Sequence, residues 1–368
     1  MERDMIIVSD YKDSVLTKEL WQEVFAEDSA KFVNYYFSNK VPGNKVFAIL
    51  DQEGTNLCAM LHLTKYVGVL NEKEHEVHYI VGVATKERYR HQGFMKEMLI
   101  KALQSMSKKE EPYTFLMPAN PKIYEPFGFS YIYDRPVLSL NKQVLSEKML
   151  AFVAQTGKSS HILHKEYGRI ELSVLHNEDK EELIEFSNGY LNGHYQVYMK
   201  RTLSYYNTLQ KELYSENGNI FILKDEGRII GFFMYAKENN IEFIQEAIIK
   251  DEYKRFQLFV EEKERKPIIM ARILDLEQFG QYLVPSNNVM LTIRVLDSLI
   301  SKNEGIFLFN GSKITKIQND SSKVIDSAIK VEFEISINQL TEVLFGYKED
   351  KRFQGIPTLS GVFINEIV

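Results

Sequence analysis

One cysteine, Cys58, and one tryptophan, Trp21, occur in 368 residues. A lone cysteine excludes an internal disulfide framework and fits a reducing compartment. Because Cys58 stands in an apolar, strand-like run, a buried inert thiol is expected there, not a nucleophile. No apolar run reaches membrane-spanning length, and the opening MERDMIIVSDYKD lacks the three regions of a secretory signal. No membrane partner is therefore expected, and the expected location is the cytoplasm. Basic residues are not in excess: 45 Lys and Arg against 51 Asp and Glu give a net charge of -6. That balance argues against a general nucleic-acid binder, which needs a basic face to displace counterions; it suits a cationic substrate such as an amine, and is equally the mild acidity of an ordinary well-solvated chain. Metal-ligand spacing is also missing. His75 and His78 flank Glu76 and Val77 at the wrong interval for a helical zinc motif, and His161 and His164 lack carboxylate or cysteine partners, so no metal is expected. The segment from Gly305 to Lys313 misses a phosphate loop by one residue and reads as part of a strand pair.

What is present is a hydrophobic fraction of 44% and a charged fraction of 26%, the make-up of a soluble globular chain. Its length is too great for one core and implies two or three domains. The stretch from Val77 to Met106 carries the most information. His78 to Ala84 reads as a strand buried on both faces. A charged turn, Lys86 to Arg90, follows, and from Gly93 onward Phe94, Met98, Leu99, Ala102, Leu103 and Met106 recur at helical spacing. Strand, basic turn, glycine and amphipathic helix is the arrangement in which helix amides and the positive dipole end meet a phosphate. Arg90 and His91 would stand beside those amides, and Gly93 would let a pyrophosphate approach the backbone. The tetrapeptide from Arg90 to Gly93 is by itself equally an ordinary strand-to-helix turn with a solvated basic rim.

Along the rest of the chain, Leu20, Trp21, Val24 and Phe25 mark a first helix, which Thr17 is placed to cap, and Phe32, Val33, Tyr36 and Phe37 mark a second, stopped at Val41 to Asn44. Strands are expected at 45–50 and 57–63, an apolar run spans Tyr113 to Pro118, and a further strand is expected from Ser130. The pattern of Ala48 to Gly54 and Asn56 to Met60 recurs at Phe221 to Gly227 and Ile229 to Phe233, with a third strand from Ile241 to Ile249. This suggests a second copy of the fold, although a chance likeness between hairpins would look the same. No glycine occurs between Gly231 and Gly280, so a second copy would lack the phosphate cradle. The charge run from Glu261 to Lys266 reads as a solvated helix end or linker. Beyond Pro267, Met270 to Asp275 and Thr292 to Asp297 read as paired short strands. Gly305 to Phe309 and the alternating Ile329 to Ile335 follow, then a helix from Ile337 to Phe345 opened by Ser336 and Gln339.

Val83-Ala84-Thr85 ahead of the turn, with Arg90-His91-Gln92-Gly93-Phe94-Met95 after it, resembles the acyl-CoA-binding turn of the GCN5-related N-acetyltransferase (GNAT) superfamily. That signature usually ends in glycine or alanine, and Met95 at this place resembles the enhanced-intracellular-survival (Eis-like) branch. The segment Ile123-Tyr124-Glu125-Pro126-Phe127-Gly128-Phe129 and the order of elements after residue 267, which resembles a sterol-carrier-protein-like fold, extend the resemblance over the whole chain. It implies an α/β and α+β protein with tandem GNAT folds, the second degenerate. The units would be residues 1–143 (GNAT), 144–267 (degenerate copy) and 268–368 (sterol-carrier-like).

The activity implied is transfer of an acetyl group from acetyl-CoA to a primary amine, on a small molecule or a peptide, by a homo-oligomer that uses no metal. The cofactor would be held by Val83, Ala84, Thr85, Arg90, His91, Gln92, Gly93, Phe94, Met95, Lys96 and Asn120. A backbone N–H on the Val83 strand would face the thioester oxygen. Tyr124 would protonate the departing sulfur, and the α-carboxylate of Val368, where relatives more often end in phenylalanine, would attract the amine and take up its proton through water. Without the resemblance, Tyr124 reads as one of 21 tyrosines, packed with Phe127 and Phe129. An acidic cleft is expected to receive the amine. The alternative function is lipid or ligand binding by the sterol-carrier-like domain, with the acetyltransferase fold as scaffold.

Overall fold

The computed structural model describes residues 6–164, 168–238, 241–284, 290–311, 313–319 and 330–366. After β1 (Ile6–Ser9) comes α1 (Ser14–Val24). Asp13 caps this helix, its carboxylate accepting from the amides of Val15 and Leu16 at 3.0 and 3.1 Å. The expected cap, Thr17, lies inside the helix, buried, with its hydroxyl turned back to the carbonyls of Asp13 and Ser14. An acidic side chain one turn earlier offers the amides a stronger acceptor and complements the dipole. Helix α2 (Ala30–Tyr35) opens at Ser29 and widens into a π-helical turn, Tyr36–Lys40.

The strands β2 (Lys45–Leu50), β3 (Leu57–Leu70) and β4 (Lys73–Thr85) continue from β1 as an antiparallel meander. Helix α3 (Phe94–Lys108) then crosses the sheet and delivers β5 (Tyr113–Leu116), which runs parallel to β4, and β6 (Ser130–Leu140) follows. All six apolar positions read from the sequence of α3 are buried. After α4 (Glu147–Thr156) come β7 (Ser160–His164) and β8 (Gly168–Val174), then α5 (Lys180–His194), the short β9 (Val197–Met199) and α6 (Leu203–Ser215). The hairpin strands β10 (Asn219–Asp225), β11 (Arg228–Glu238) and β12 (Ile241–Ile249) complete a second antiparallel sheet, ordered β12-β11-β10-β8-β7. Its run of β8, two helices and three meandering strands has the order of β1, α1, α2 and β2 to β4. From β12, however, the chain passes through a single 3-10 segment, Asp251–Phe256, directly into β13 (Phe259–Ile273), with no counterpart of α3.

Strand β13 lies between β5 and β6 in the first sheet, antiparallel to both. Two expectations are corrected by it. The charge run at 261–266 is neither helix end nor linker but the exposed outer half of this strand, paired with β6. Met270 to Ile273 pair with β5, not with the segment from Thr292. A period-two pattern says which residues share a face but not which strand lies alongside. The boundary drawn at residue 267 falls within β13.

Helix α7 (Leu276–Gly280) leads to β14 (Met290–Leu296), β15 (Gly305–Asn310), β16 (Lys313–Asn319) and β17 (Phe333–Ser336), a third sheet ordered β16-β15-β14-β17. The expected alternating strand is shorter: β17 begins at Phe333, and residue 329 lies outside the described residues. Helix α8 (Ile337–Leu344) starts where expected, the side chain of Gln339 accepting from the backbone and hydroxyl of Ser336. The last strand, β18 (Val362–Phe363), pairs with β9, which itself extends the far end of β3. One apolar core runs from α1 through the first sheet into the third, and two smaller clusters line the faces of the second sheet. Among the described residues, no helix is long and apolar enough to cross a membrane. Cys58 is fully buried, and burial raises its thiol pKa.

Candidate active site

The site is built on a fault in β4. Opposite Met60 and His62 of β3 stand Ala84 and Val81, so β4 carries one extra residue at Gly82–Val83. Such a bulge breaks the ladder and re-aims the backbone. Gly82 takes φ +60°, and a Cβ there would lie 2.5 Å from Cζ3 of Trp21, so sterics require glycine twice over. Trp21 is locked in turn by an indole N–H bond to Asp28 at 2.7 Å and by Tyr36, whose ring centroid is 4.3 Å away. The bulge is therefore held from beneath by α1 and by the π-helical turn that follows α2.

On its other edge, β4 pairs with β5 at Tyr79↔Phe115, and the half of β4 carrying Val83, Ala84 and Thr85 runs on past that pair. This opens a cleft between the two strands. The chain then turns through a 3-10 segment, Glu87–Tyr89, to His91 at φ +60° and Gly93 at φ +85°. Among the described residues, no side chain caps α3, and nothing lies within 4 Å of a Cβ built on Gly93. Phe94 is buried and anchors the first turn, Met95 and Gln92 are half-buried, and Arg90, His91 and Lys96 are exposed around it. Arg90 is steadied by its Nε–H, which donates to the carbonyl of Thr85 at 3.4 Å. An uncapped fifteen-residue helix with a basic, open rim favours an anion at its mouth.

Tyr124 comes from the turn after β5. Asn120 is exposed, and its Oδ1 accepts from the amide of Lys122 at 3.1 Å, setting the 3-10 segment Pro121–Ile123 that precedes the tyrosine. The carbonyl of Tyr124 accepts from the amide of Phe127 at 2.9 Å, and Gly128 closes the turn at φ +80°. The half-buried ring stands edge-on to Phe129 at 6.1 Å, and burial pushes the phenol pKa up to about 12. Among the described residues, no hydrogen bond holds its hydroxyl. Val368 lies outside the described residues.

Beside the cleft is a cavity of about 350 Å³ that sequence reasoning missed. Tyr66 of β3 forms the wall toward the cleft: its ring is 6.2 Å from Phe115, which stacks on Tyr79 at 5.1 Å. Lys40, Tyr205, Glu212, Gln245 and Glu366 also face it. The Lys40 ammonium sits 3.3 Å from Glu212 and 3.3 Å from the hydroxyl of Tyr66, and Glu212 accepts from Tyr35 at 2.9 Å. Burial is the largest single influence and opposes the charge on Lys40, but Glu212, Tyr66 and Tyr35 together outweigh it and raise the pKa.

The tail leading from β18 lines the cavity floor. Asn365 accepts from Tyr133, and its carbonyl accepts from Gln245, each at 3.2 Å. Glu366 is buried and accepts from Arg201 at 2.5 Å and Tyr205 at 3.1 Å, while Arg201 also donates to Glu246 at 2.9 Å. Two buried carboxylates thus share one guanidinium. Desolvation, only partly offset by Arg201, raises the pKa of Glu246 to about 7 and moves that of Glu366 in the same direction. The lining is mixed and not uniformly acidic: Lys40, Lys65 and Lys200 share it with Glu212 and Glu366. Net charge reports the whole surface and not its distribution. A local signal was available, since Gln245-Glu246 interrupts an apolar strand and Glu366 an apolar tail, and unpaired charges do not stay in such places.

Glu76, His78 and Glu111 bring ligand-type atoms within 4.8 Å of one another. Lys65 pairs with Glu76, and the Nδ1 of His78 shares a hydrogen bond with Glu111 at 2.9 Å, so contacts within the protein already engage the cluster.

Residues 10–132 match the family model described as an acetyltransferase (GNAT) domain. No curated protein matches the chain. Solved structures share its fold. A conserved protein from Enterococcus faecalis V583, a probable N-acyltransferase, is 15% identical, with 97% of this chain and 94% of that one covered at a TM-score of 0.70. A GCN5-related N-acetyltransferase from Anabaena variabilis ATCC 29413 is 14% identical over the same shares, with a TM-score of 0.71. Eis1 from Mycobacterium abscessus is 10% identical, again over 97% and 94%, with a TM-score of 0.67. The fold is thus a mixed α/β, GNAT-like one with several sheets, and the protein is an acetyltransferase.

Proposed function

We propose that this acetyltransferase moves an acetyl group from acetyl-CoA to a primary amine bound in the cavity beside Tyr66. The convergence of three features carries the reading: the bulge at Gly82–Val83, the uncapped basic mouth of α3, and a cavity that ends in Glu366. The diphosphate of CoA lies on the turn from Arg90 to Lys96, and its pantetheine arm runs along Val83 to Thr85 into the cleft between β4 and β5. The bulged backbone at Val83 donates to the thioester oxygen as it gains charge. The amine nitrogen attacks the thioester carbon, the C–S bond breaks, and the sulfur takes its proton from Tyr124. A phenol at about 12 facing a thiol near 8.5 makes outright transfer uphill. Tyr124 therefore acts first as a hydrogen-bond donor and gives up its proton only as charge builds on sulfur. The proton lost by the amine leaves through water.

The mixed lining suits an amine that also carries polar or anionic groups, since Lys40 and Lys200 stand beside the two carboxylates. The three units, 1–143, 144–267 and 268–368, are read as a catalytic GNAT domain, a degenerate copy that builds the cavity wall through α6, and a sterol-carrier-like domain. The chain is read as a homo-oligomer, which light scattering tests. The GNAT domain match favours catalysis over the lipid-binding alternative.

Calorimetry with CoA and acetyl-CoA, followed by thiol release with polyamines, aminoglycosides and lysine peptides, tests the proposal. Saturable cofactor binding and amine-dependent thiol release are expected. A protein that takes up neither form of CoA refutes the reading.

A further inference from the structure

The turn that carries Tyr124 is gripped by an arginine of the first sheet, which a carboxylate beside the third sheet holds in place. Arg272, on β13, is 1% exposed, and its Nη1 donates to the carbonyl of Phe127, three residues beyond Tyr124. Its Nη2 donates to both carboxylate oxygens of Asp297, at 2.6 and 2.7 Å. Asp297 follows β14 and is itself fastened: its Oδ1 accepts from the amides of Leu299 and Ile300, and its Oδ2 from Asn303, all at 3.1 Å. Gly128 is the other half of the joint. A Cβ there would land on Nη1 of Arg272, and it would come within 2.8 Å of Ile337 on α8. Glycine thus serves both the left-handed turn and the closeness of the guanidinium.

We propose that Arg272, held by Asp297, is a positioning residue for Tyr124, so that the third sheet sets where the acid of the first domain stands. The proposal rests on the reading of Tyr124 as the proton donor. A buried guanidinium has a fork of donors in one plane, and here one prong fixes a backbone carbonyl while the other is fixed by a carboxylate. The carbonyl of Tyr124 is tied to the amide of Phe127, so a shift at Phe127 moves the tyrosine. Small displacements of a group that must meet a reacting atom lower the rate steeply.

Asp297→Asn keeps the shape of the joint and removes the charge that holds Arg272. With the full-length enzyme it is expected to lower kcat by about tenfold or more, leaving the KM for acetyl-CoA unchanged. In a Tyr124→Phe background the same substitution is expected to have no further effect, because the group it positions is gone. A second readout, the 19F resonance of 3-fluorotyrosine placed at position 124, is expected to shift in Asp297→Asn. Equal losses in both backgrounds, a parallel loss of CoA affinity, or an unmoved resonance would overturn the proposal. If Tyr124→Phe alone keeps the wild-type kcat, the acid assignment falls, and the resonance still decides whether Arg272 places the ring. Should Asp297→Asn not fold, Arg272→Lys carries the same test, since one ammonium cannot span both partners.

Discussion

Arg201 and Glu366 stand 165 residues apart in the chain and 2.5 Å apart in the fold, both sealed from solvent. Their contact fastens the tail to the link between β9 and α6 and, through Glu246 on β12, to the second sheet, and it puts a carboxylate in the cavity lining. Glu246 shares the same guanidinium, so three ionisable groups hold two negative charges against one positive when fully ionised. That imbalance is unfavourable away from water, and protonation relieves it.

Stability is therefore expected to fall as pH rises. Glu246 ionises near its ordinary 4.5 in the unfolded chain and at about 7 in the fold. Its contribution is fully present below 4.5 and is lost as pH rises through 7, by up to roughly 3 kcal/mol. Urea denaturation at pH 5, 6, 7 and 8 should show this slope in the wild type and a flatter one in Glu246→Gln. Equal slopes would remove Glu246 as the cause.

Tyr124→Phe should lower kcat by about 100-fold or more while leaving CoA affinity unchanged. The ring still packs on Phe129, and only the hydroxyl is lost. Steady-state kinetics paired with calorimetry separate the two; equal losses in both would exclude a role confined to proton donation.

At Gly93 the space is open and the backbone is left-handed. Gly93→Val brings both a strained φ and a side chain in the path of the diphosphate, and the strain costs about 1–2 kcal/mol. CoA binding should weaken by more than about tenfold while the protein stays folded. Gly93→Asn, which tolerates this backbone better, should bind more tightly than Gly93→Val. Calorimetric affinities in the reverse order would exclude the backbone from the effect.

The bulge can be read through the one tryptophan. Gly82→Ala would push a methyl group into Trp21, destabilising the protein by about 1–3 kcal/mol. Because Trp21 is the sole indole, its emission should shift as well. A folded variant with unchanged emission and unchanged midpoint would show that the strand absorbs the methyl group without moving α1.

The strand from His78, the basic turn, the glycine and the helix through Met106 were all legible in the sequence, because each rests on contacts a few residues apart. The buried stripe of α3 follows from helical geometry alone, and so does the capping role of Ser336 and Gln339. The helix start at Asp13 was misread by one turn because two suitable caps lie close together. Strand β13 was recognised as a strand at Met270 and given the wrong neighbour. Arg272 and Asp297, expected to lie on paired strands, do meet, but through a side-chain ion pair across two sheets.

By itself the chain of letters determined where helices and strands form, which faces of them are apolar, and that a glycine at 93 leaves a helix mouth open to an anion. Those properties come from sterics and periodicity over one or two turns of backbone. Only the tertiary structure decided that Glu366 reaches Arg201, that Lys40 pairs with Glu212 in the lining of a cavity, and that Arg272 grips the turn of Tyr124. Such partners are far apart along the chain, and their closeness is set by how whole sheets pack, which no local pattern records.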